Sequence, residues 1–180
     1  MMNPILRAIL ERRSSVEFKA SHIDERKIQS ILEAGRWAPS YANTQPWEFI
    51  VVTDMELKHK LCESGAKVTL FSGGIEQASA IIVVVVDPEK DSLHYIEDGS
   101  VATQNMALAA HSIGLASYWI GIFDLKGRKK SAEKYVKKVL RIPEKLRVIA
   151  LLPIGEPASS SQSDRKWLKD LVHHNYYQEC

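Results

Sequence analysis

The feature that most constrains the fold is the segment Ala80–Val86, which is apolar, mostly β-branched and free of polar side chains. β-branched residues favour strands, and a strand with one face in solvent would show alternating polar side chains. The segment therefore predicts a central strand that is covered on both faces. It contains the strongest apolar run in the chain, which is far too short to cross a bilayer.

Apolar residues at three- and four-residue spacing predict helices on both sides of this strand. The predicted helices are Pro4–Arg12, Asp24–Arg36, Met55–Cys62, Tyr95–Ser112 and Lys126–Arg141. The other predicted strands are Ala116–Ile122, Arg147–Pro153 and, as a buried strand, Trp47–Thr53. We expect Asp24 to cap the second helix and Gly114 to end the fourth. We expect a loop at Ser72–Gly73–Gly74, and no Gly-x-Gly-x-x-Gly motif follows a strand, which argues against Rossmann-type nucleotide binding.

The loop Ala38–Trp47, with the sequence APSYANTQPW, is the first candidate for a ligand site. Each proline fixes its own φ angle and disfavours helix in the residue before it, so the loop should be stiff. Hydrogen-bonding side chains lie between the prolines at Ser40, Tyr41, Asn43, Thr44 and Gln45. A stiff polar loop ahead of a strand is a common way to build a ligand site. The alternative is a plain connection in which Ser and Asn side chains cap their own backbone.

A second candidate is the basic cluster Arg12-Arg13-Ser14-Ser15 at the end of the first predicted helix. Guanidinium groups bind phosphate bidentately, and the hydroxyl groups add further hydrogen bonds. The alternative is that both arginines interact with the negative end of the helix dipole.

The composition is that of an ordinary soluble globular protein. Its 180 residues fit one domain, 1–180, able to bury roughly 70% of the unfolded surface, with a flexible loop at 158–163. Cys62 and Cys180 do not form a disulfide framework, and no signal-like segment is visible, so we expect a cytoplasmic protein without a membrane span. The histidines show no metal-ligand spacing, and we predict no metal site.

The segment 126–141 contains eight basic residues and one acidic residue. We expect Lys130, Lys134, Lys137, Lys138 and Arg141 to form one solvated cationic face of an amphipathic helix. Attraction of an anionic nucleotide or a nucleic acid is the alternative use of this face. The overall charge of +2 and the lack of a nucleic-acid-binding motif make that alternative the less favoured one.

The loop at 39–47 resembles the P-S-x-x-N-x-Q-P-W signature of the nitroreductase family, whose members are flavin-dependent oxidoreductases. Arg12, Arg13, Ser14 and Phe18 match the family motif R-R-S-x-R-x-F. The segments 97–121 and 154–157, and the basic stretch 164–173, are similar to later family segments in the same order. The sequence departs from the family at Val16 and Ser163, where basic residues are usual.

The resemblance implies an α+β fold with a central mixed sheet between helices, assembled as an intertwined homodimer with two flavin mononucleotide (FMN) sites at the subunit interface. It implies that Arg12, Arg13, Ser14 and Arg165 of one subunit hold the FMN phosphate. The backbone at Ile120 and Gly121 would lie against the flavin ring, where the absence of a side chain on glycine permits close approach. The other subunit would contribute Pro39, Ser40 and Asn43, and Tyr41 and Gln45 of the same loop are further candidate cofactor-binding residues.

The resemblance also implies the reaction. NAD(P)H would reduce the flavin and leave, and a small acceptor such as a nitroaromatic or a quinone would then take its place, which is ping-pong chemistry. Because flavin carries out the hydride chemistry, we predict no catalytic side chain. A flavin-binding dimer that stores or senses flavin without turnover is the alternative within this family.

Overall fold

The computed structural model describes residues 3–65, 73–123, 130–159 and 163–177. Its helices are α1 (Pro4–Glu11), α2 (Glu25–Arg36), α3 (Met55–Gly65), α4 (Gly73–Gln77), α5 (Tyr95–Ser112) and α6 (Lys130–Leu140). Its strands are β1 (Trp47–Val52), β2 (Ala80–Val86), β3 (Ala116–Ser117), β4 (Ile120–Gly121) and β5 (Arg147–Gly155). Single turns of 3-10 helix occur at Tyr41–Asn43 and Leu168–Asp170.

One sheet organises the molecule, with the strand order β1-β2-β5-β3 and with β4 also paired to β5. These strand pairs are antiparallel, and an isolated parallel bridge joins Ser14 to Ser117 at the edge. Every residue of β2 is buried, as predicted, and successive side chains alternate between two cores. One core contains residues of α2 and α5, and the other contains residues of α3, α4 and α6. The α+β class with a central sheet between helices is therefore confirmed.

The helix ends follow from local sequence. The Asn3 side chain accepts a hydrogen bond from Ile5 N at 2.8 Å, and Asp24 accepts one from Arg26 N at 2.9 Å, so both cap the following helix. Gly114 has φ +80° just after α5, a left-handed conformation that favours glycine. The predicted caps at Asp24 and Gly114 are thus confirmed.

Three predicted elements differ in the structure. The strand β1 is only partly buried because it lies at the sheet edge, where it pairs with β2 alone. The predicted strand Ala116–Ile122 is interrupted between β3 and β4, where Tyr118 is buried against Phe18 and Trp119 is exposed. The predicted loop at 72–74 is wrong at Gly73 and Gly74, which begin the helix α4. Ser72 lies outside the described residues.

The predicted solvated cationic face of α6 is wrong at Lys137. Lys137 is buried, and its ammonium lies 3.9 Å from the Glu133 carboxylate and 3.6 Å from that of Glu144. Glu133 in turn accepts hydrogen bonds from the Arg147 guanidinium at 2.8 and 3.0 Å, which fixes α6 to the start of β5. Burial would raise the pKa of Glu133, but the hydrogen bonds and charge of Arg147 lower it overall. Residues 126–129 of the predicted helix lie outside the described residues.

The segment between α1 and α2 is extended and follows the far end of β5. Ser15 N donates to Ser117 O at 3.2 Å, and Lys19 N donates to Glu156 O at 2.9 Å. Phe18 is buried against Gly155, where an added Cβ would lie only 2.7 Å from the Phe18 ring. These contacts fix the position of the basic cluster that precedes Phe18.

Two further predictions concern the chain as a whole. In the ranges that the structure describes, there is no helix with the length and apolar character needed to cross a bilayer. Within the predicted flexible loop 158–163, residues 160–162 lie outside the described part of the chain.

The packing of Phe18 on Gly155 can be tested by a single methyl group. We expect Gly155→Ala to lower the free energy of unfolding by about 1 to 3 kcal/mol, because the methyl group would overlap with Phe18. Urea unfolding of the protein without added ligand measures this change. The matched control is Gly121→Ala in the same sheet, where the nearest described side chain to the new Cβ is that of Trp119 at 3.7 Å. A larger loss of stability in the control than in Gly155→Ala would contradict this account.

Candidate functional site

Three arginines gather where α1 ends. Arg12 is half-buried, and the positive charges of Arg13 and Arg165 act on it. Burial lowers the pKa of the Arg12 guanidinium, and the two neighbouring charges lower it further. Among the described residues, no carboxylate pairs with any of the three. A concentration of positive charge without internal counter-ions is suited to an anionic ligand.

The arginines are not equivalent. Arg13 Nη1 donates to Leu10 O at 2.6 Å and to Arg12 O at 2.9 Å, so this guanidinium covers the carbonyl end of α1. Arg13 also lines a cleft of about 500 Å³ together with Ser15 and Lys19. These three residues are separated by even numbers of positions, as expected for an extended chain, in which every second side chain faces the same side. Arg12 does not line that cleft, and Arg165 Nη1 donates to Ser163 Oγ at 2.8 Å.

Ser14 is exposed beside Arg12, and its backbone forms the parallel bridge to Ser117 in β3. Ile120 and Gly121 follow on the same edge of the sheet, where they pair with Leu151 and Ala150 of β5. Ile120 is buried, whereas Gly121 is partly exposed. The predicted phosphate residues and the predicted ring residues therefore lie along one edge, about 13 Å apart at the rise of an extended strand.

Gly121 has no packing reason to be glycine within the part of the chain that the structure describes. Its φ is not in the left-handed region, and an added Cβ would make only ordinary contact with Trp119 at 3.7 Å. By contrast, an added Cβ at Gly35 or Gly99 would lie less than 3 Å from neighbouring side chains. Among the described residues, therefore, no close side-chain contact requires glycine at position 121.

The loop 38–47 has an unusual backbone. Ala42, Asn43 and Gln45 have φ angles of 46°, 59° and 46°, in the left-handed region that residues with a Cβ seldom adopt. The loop is closed on itself, because Gln45 N donates to Ser40 Oγ at 3.0 Å and Gln45 Nε2 donates to Asn43 Oδ1 at 3.1 Å. Pro39, Tyr41 and Asn43 remain exposed. The loop is thus stiff, as the prolines predicted, and it presents polar groups outward.

An acidic cluster at the start of α5 anchors this loop. Tyr41 N donates to Asp98 Oδ1 at 3.1 Å, and the Tyr41 ring stacks on His94 with centroids 4.1 Å apart. His94 Nδ1 lies 3.5 Å from Asp91 Oδ2. Two buried polar atoms here, Thr44 Oγ1 and Asp98 Oδ2, have no hydrogen-bond partner among the described residues. The region between the loop and α5 therefore retains hydrogen-bonding capacity for a ligand, a water molecule or a second chain.

The two carboxylates of this cluster have opposite pKa shifts. Burial raises the pKa of Asp98, and the charge of Asp91 raises it further against the opposing hydrogen bond from Tyr41 N. Burial also favours the protonated form of Asp91, but hydrogen bonds from the backbone N–H groups of Leu93 and His94 lower its pKa overall.

Sequence reasoning assigned no role to Asp91, His94 or Asp98. The sequence pattern does mark Asp98. It lies four residues before Ala102 and eight residues before Met106, so it shares a helix face with these two core residues. A carboxylate on the buried stripe of a helix requires a partner, and here that partner is the backbone of the loop. Nothing comparable in the sequence marks His94, whose contact with Tyr41 is tertiary.

The predicted site residues form two groups that are far apart in one chain. Trp47 at the end of the loop is aligned through Val86 with Arg147, at the start of β5. Ser14 is aligned through Ser117 with Ile154, at the other end of β5. Ser14 and Trp47 are therefore about 24 Å apart along the strands and roughly 19 Å apart across them. Gly121 is nearer to the loop, because it is aligned through Ala150 and Val84 with Phe49, and it lies about 7 Å along the strands and roughly 14 Å across them from Trp47. One chain therefore brings the arginines, Ser14 and Gly121 to one edge of the sheet and leaves the loop at the opposite edge.

Within the ranges 3–65, 73–123, 130–159 and 163–177, no three His, Cys, Asp or Glu side chains are arranged to ligate one ion.

The raised pKa of Asp98 gives a prediction for stability. Because the pKa is higher in the folded state, the wild type should lose stability relative to the Asp98→Asn variant as pH rises from about 4 through the folded-state pKa. Denaturant unfolding of both proteins between pH 4 and 7 measures the difference. The Glu97→Gln variant controls for removing a carboxylate from the same turn. A difference that stays constant, or that changes in favour of the wild type, would contradict the prediction.

Comparison with known proteins identifies the family of this chain. The model of the Nitroreductase family matches residues 9–70 and 62–156. A relative from Archaeoglobus fulgidus, provisionally named NADH dehydrogenase/NAD(P)H nitroreductase, is 34% identical over 178 residues, or 96% of this chain and 98% of the relative. The structure of an FMN-dependent nitroreductase from Clostridium difficile has a TM-score of 0.85 at 30% identity and covers 96% of this chain and 99% of its own. That of NADPH:FMN oxidoreductase from Vibrio harveyi, complexed with NAD+, has a TM-score of 0.84 at 26% identity, with coverages of 99% and 80%. This chain therefore belongs to the nitroreductase family.

Proposed function

We propose that this protein is an FMN-dependent oxidoreductase that takes electrons from NAD(P)H and passes them to a small acceptor such as a nitroaromatic or a quinone. Family membership makes it an oxidoreductase, and the related nitroreductase and NADPH:FMN oxidoreductase support FMN as cofactor and NAD(P)H as donor. The observation that carries the proposal is the position of three arginines, none with a carboxylate partner among the described residues, near the sheet edge that contains Gly121.

The arginines fit the phosphate end of FMN. Arg12 and Arg165 supply guanidinium groups without carboxylate partners in the described part of the chain, and Ser14 adds an exposed hydroxyl. Phosphate pairs with guanidinium through charge-assisted hydrogen bonds. Arg13 supports the site by its charge, and its contacts with Leu10 O and Arg12 O hold the end of α1 in place. The replacement of two basic family positions by Val16 and Ser163 leaves these three cations to bind the phosphate.

The ring end fits Ile120 and Gly121. Gly121 leaves room for an aromatic plane against the backbone, and the separation of about 13 Å from Ser14 suits a cofactor that extends along the edge. When bound, FMN accepts a hydride from the nicotinamide and delivers electrons to the acceptor. The protein binds the phosphate, orients the ring and keeps one ring face open, so donor and acceptor use the same space in turn. No side chain is assigned as a general acid or base.

The loop 38–47 completes the site in a dimer. It leads into β1 on the opposite edge of the sheet from Gly121 of its own chain, three strand spacings or about 14 Å away, so we assign its polar groups to the flavin held by a second copy. Pro39, Ser40, Tyr41, Asn43 and Gln45 are the residues concerned. The backbone strain at Ala42, Asn43 and Gln45 is consistent with this role, because strained residues are frequent where a protein grips a ligand.

Exposed apolar surface supports the homodimer. Helix α1 has no buried residue, although Ile5, Leu6, Ile9 and Leu10 form one apolar stripe. Together with α2 and α5 it borders a groove of about 530 Å³ that includes Trp37, which is 72% exposed. On the segment 163–177, exposed large apolar residues are Trp167, Leu168, Leu171, Val172, Tyr176 and Tyr177. An apolar surface of this extent is typical of a buried interface, and an extended terminal arm is suited to an intertwined dimer.

Anaerobic stopped-flow mixing tests the proposed function. Protein reconstituted with FMN and freed of excess flavin is mixed with NADH or NADPH, and flavin absorbance is recorded. We expect at least one donor to bleach the bound flavin, and an added nitroaromatic or quinone to restore it. A yellow dimer that neither donor bleaches would instead indicate a flavin-storage or sensing protein. Failure to retain FMN would contradict the proposed site.

The assignment of Arg12 to the FMN phosphate can be tested with two alanine variants, one at Arg12 just after α1 and one at Arg7 within α1. Arg12→Ala should weaken FMN binding by roughly ten- to a hundredfold, since each charge-assisted hydrogen bond contributes ~1.5 to 3 kcal/mol. The control is Arg7→Ala, because Arg7 is exposed and already paired with Glu11 at 2.9 Å. Quenching of flavin fluorescence measures both affinities. Equal affinities for the two variants would remove Arg12 from the site.

If each FMN site requires two chains, a charge that prevents dimerisation should also abolish FMN binding. Ile9→Lys places an ammonium in the α1 stripe, where burial against another chain would be unfavourable, so we expect monomers and loss of bound FMN. Light scattering after gel filtration gives the mass, and absorbance gives the flavin content. Met55→Lys, at an exposed apolar residue of α3, is the control. A monomeric variant that retained FMN would show that one chain suffices for binding.

A further inference from the structure

A second cleft, of about 690 Å³, lies away from the arginines and Gly121. It is bordered by the segment Ala20–Ile23, by the start of α3, and by the connection from α4 to β2. The proposed flavin chemistry makes no use of it. Its walls are largely apolar, but they include one buried cation.

That cation is Lys58, which is only 5% exposed. Lys58 Nζ donates to Ala78 O at 2.8 Å. An ammonium group has three N–H donors, and the described residues provide no further acceptor and no carboxylate within ion-pair distance. Burial lowers the pKa of the Lys58 ammonium against the opposing charge of Asp54, whose own side chain caps α3 at Leu57 N. A buried ammonium with unused donors is costly unless an acceptor occupies the space beside it.

A second polar group without a partner lines the same cleft. Ser21 Oγ is buried and has no hydrogen-bond partner among the described residues. Ser79 Oγ donates to Ser21 O at 2.7 Å, which fixes the backbone at this point. The cleft therefore contains an ammonium donor and a hydroxyl donor, both with unused capacity. Such a pair can bind an oxygen anion.

The rest of the cleft limits what that anion can be. Ile23, Ile28 and Met55 provide apolar surface for an uncharged body. The carboxylate of Glu76 also lines the cleft and forms an ion pair with His59, whose pKa is raised by this contact. A ligand with a second negative group would approach this carboxylate and be repelled. The favoured ligand thus has one negative charge and a compact apolar body.

We propose that this cleft binds a small organic monocarboxylate with an aromatic or branched aliphatic body, held by Lys58 and Ser21. The carboxylate accepts hydrogen bonds from Lys58 Nζ and Ser21 Oγ, and the body packs against Ile23, Ile28 and Met55. This site is separate from the FMN site and does not depend on the proposed oxidoreductase function.

Benzoate is a suitable probe, with benzamide as its uncharged counterpart. Each is titrated into the full-length protein saturated with FMN, and the ¹³C-labelled methyl resonance of Met55 is followed by NMR. We expect a saturable shift with benzoate and at least about tenfold weaker binding of benzamide, because the charge-assisted hydrogen bond is lost. Flavin absorbance is recorded in parallel to separate binding at the flavin. If benzoate changes only the flavin absorbance, or if benzamide binds as tightly, the proposal is wrong.

Variants locate the contact. Lys58→Met keeps similar volume without charge and should weaken benzoate binding at least about tenfold, whereas Lys27→Met on the exposed face of α2 should not. Circular dichroism and thermal melting establish that each variant is folded. If Lys58→Met does not fold, Ser21→Ala replaces it, and we expect a severalfold weaker affinity. Benzoate affinity equal to that of the wild type in the folded variant would overturn the assignment.

Discussion

The pairing of β5 with its neighbours is the interaction on which the other features depend. The strand is buried from Val148 to Gly155 and pairs with β2 on one side and with β3 and β4 on the other. Its start is joined to α6 by the Arg147–Glu133 ion pair, and its end receives Phe18. Through Phe18 it positions the arginines, and through Ala150 it positions Gly121. A change in the register of β5 would displace both ends of the proposed cofactor site together.

The loop at the opposite edge of the sheet shows how a strained segment can be kept stiff. Left-handed backbone at residues with a Cβ costs of order 1 to 3 kcal/mol each, and the loop contains three such residues in four positions. The Asp98 hydrogen bond to Tyr41 N and the stacking of Tyr41 on His94 offset part of this cost. In the proposed site, the loop would therefore be ordered before the ligand binds, which reduces the ordering that binding requires.

Much of the fold could be predicted from periodicity and capping residues. The central strand, α1, α2 and α5 and the caps at Asp24 and Gly114 all follow from local sequence. The prediction failed where tertiary contacts decide the outcome. Lys137 falls on the polar side of a helical pattern, but Glu133 and Glu144 bury it. Asp98 and His94 act on a loop that is more than fifty residues away in sequence. For the site, motifs identified candidate residues and the family resemblance implied two groups on different subunits, whereas the strand register gives their separation within one chain.

This separation has a genetic consequence for the proposed dimer. Each of its two sites would combine the arginine edge of one chain with the loop of the other. In a dimer formed from two different alleles, the residues of one site would therefore be encoded by both alleles. Suppose that one copy carries a defect only at Arg12 and the other only in the loop at Tyr41. In a mixed dimer both defects would then meet in one site, and the second site would contain intact residues from both chains. Two inactive alleles could thus restore half of the activity in each mixed dimer, although neither chain is active with itself.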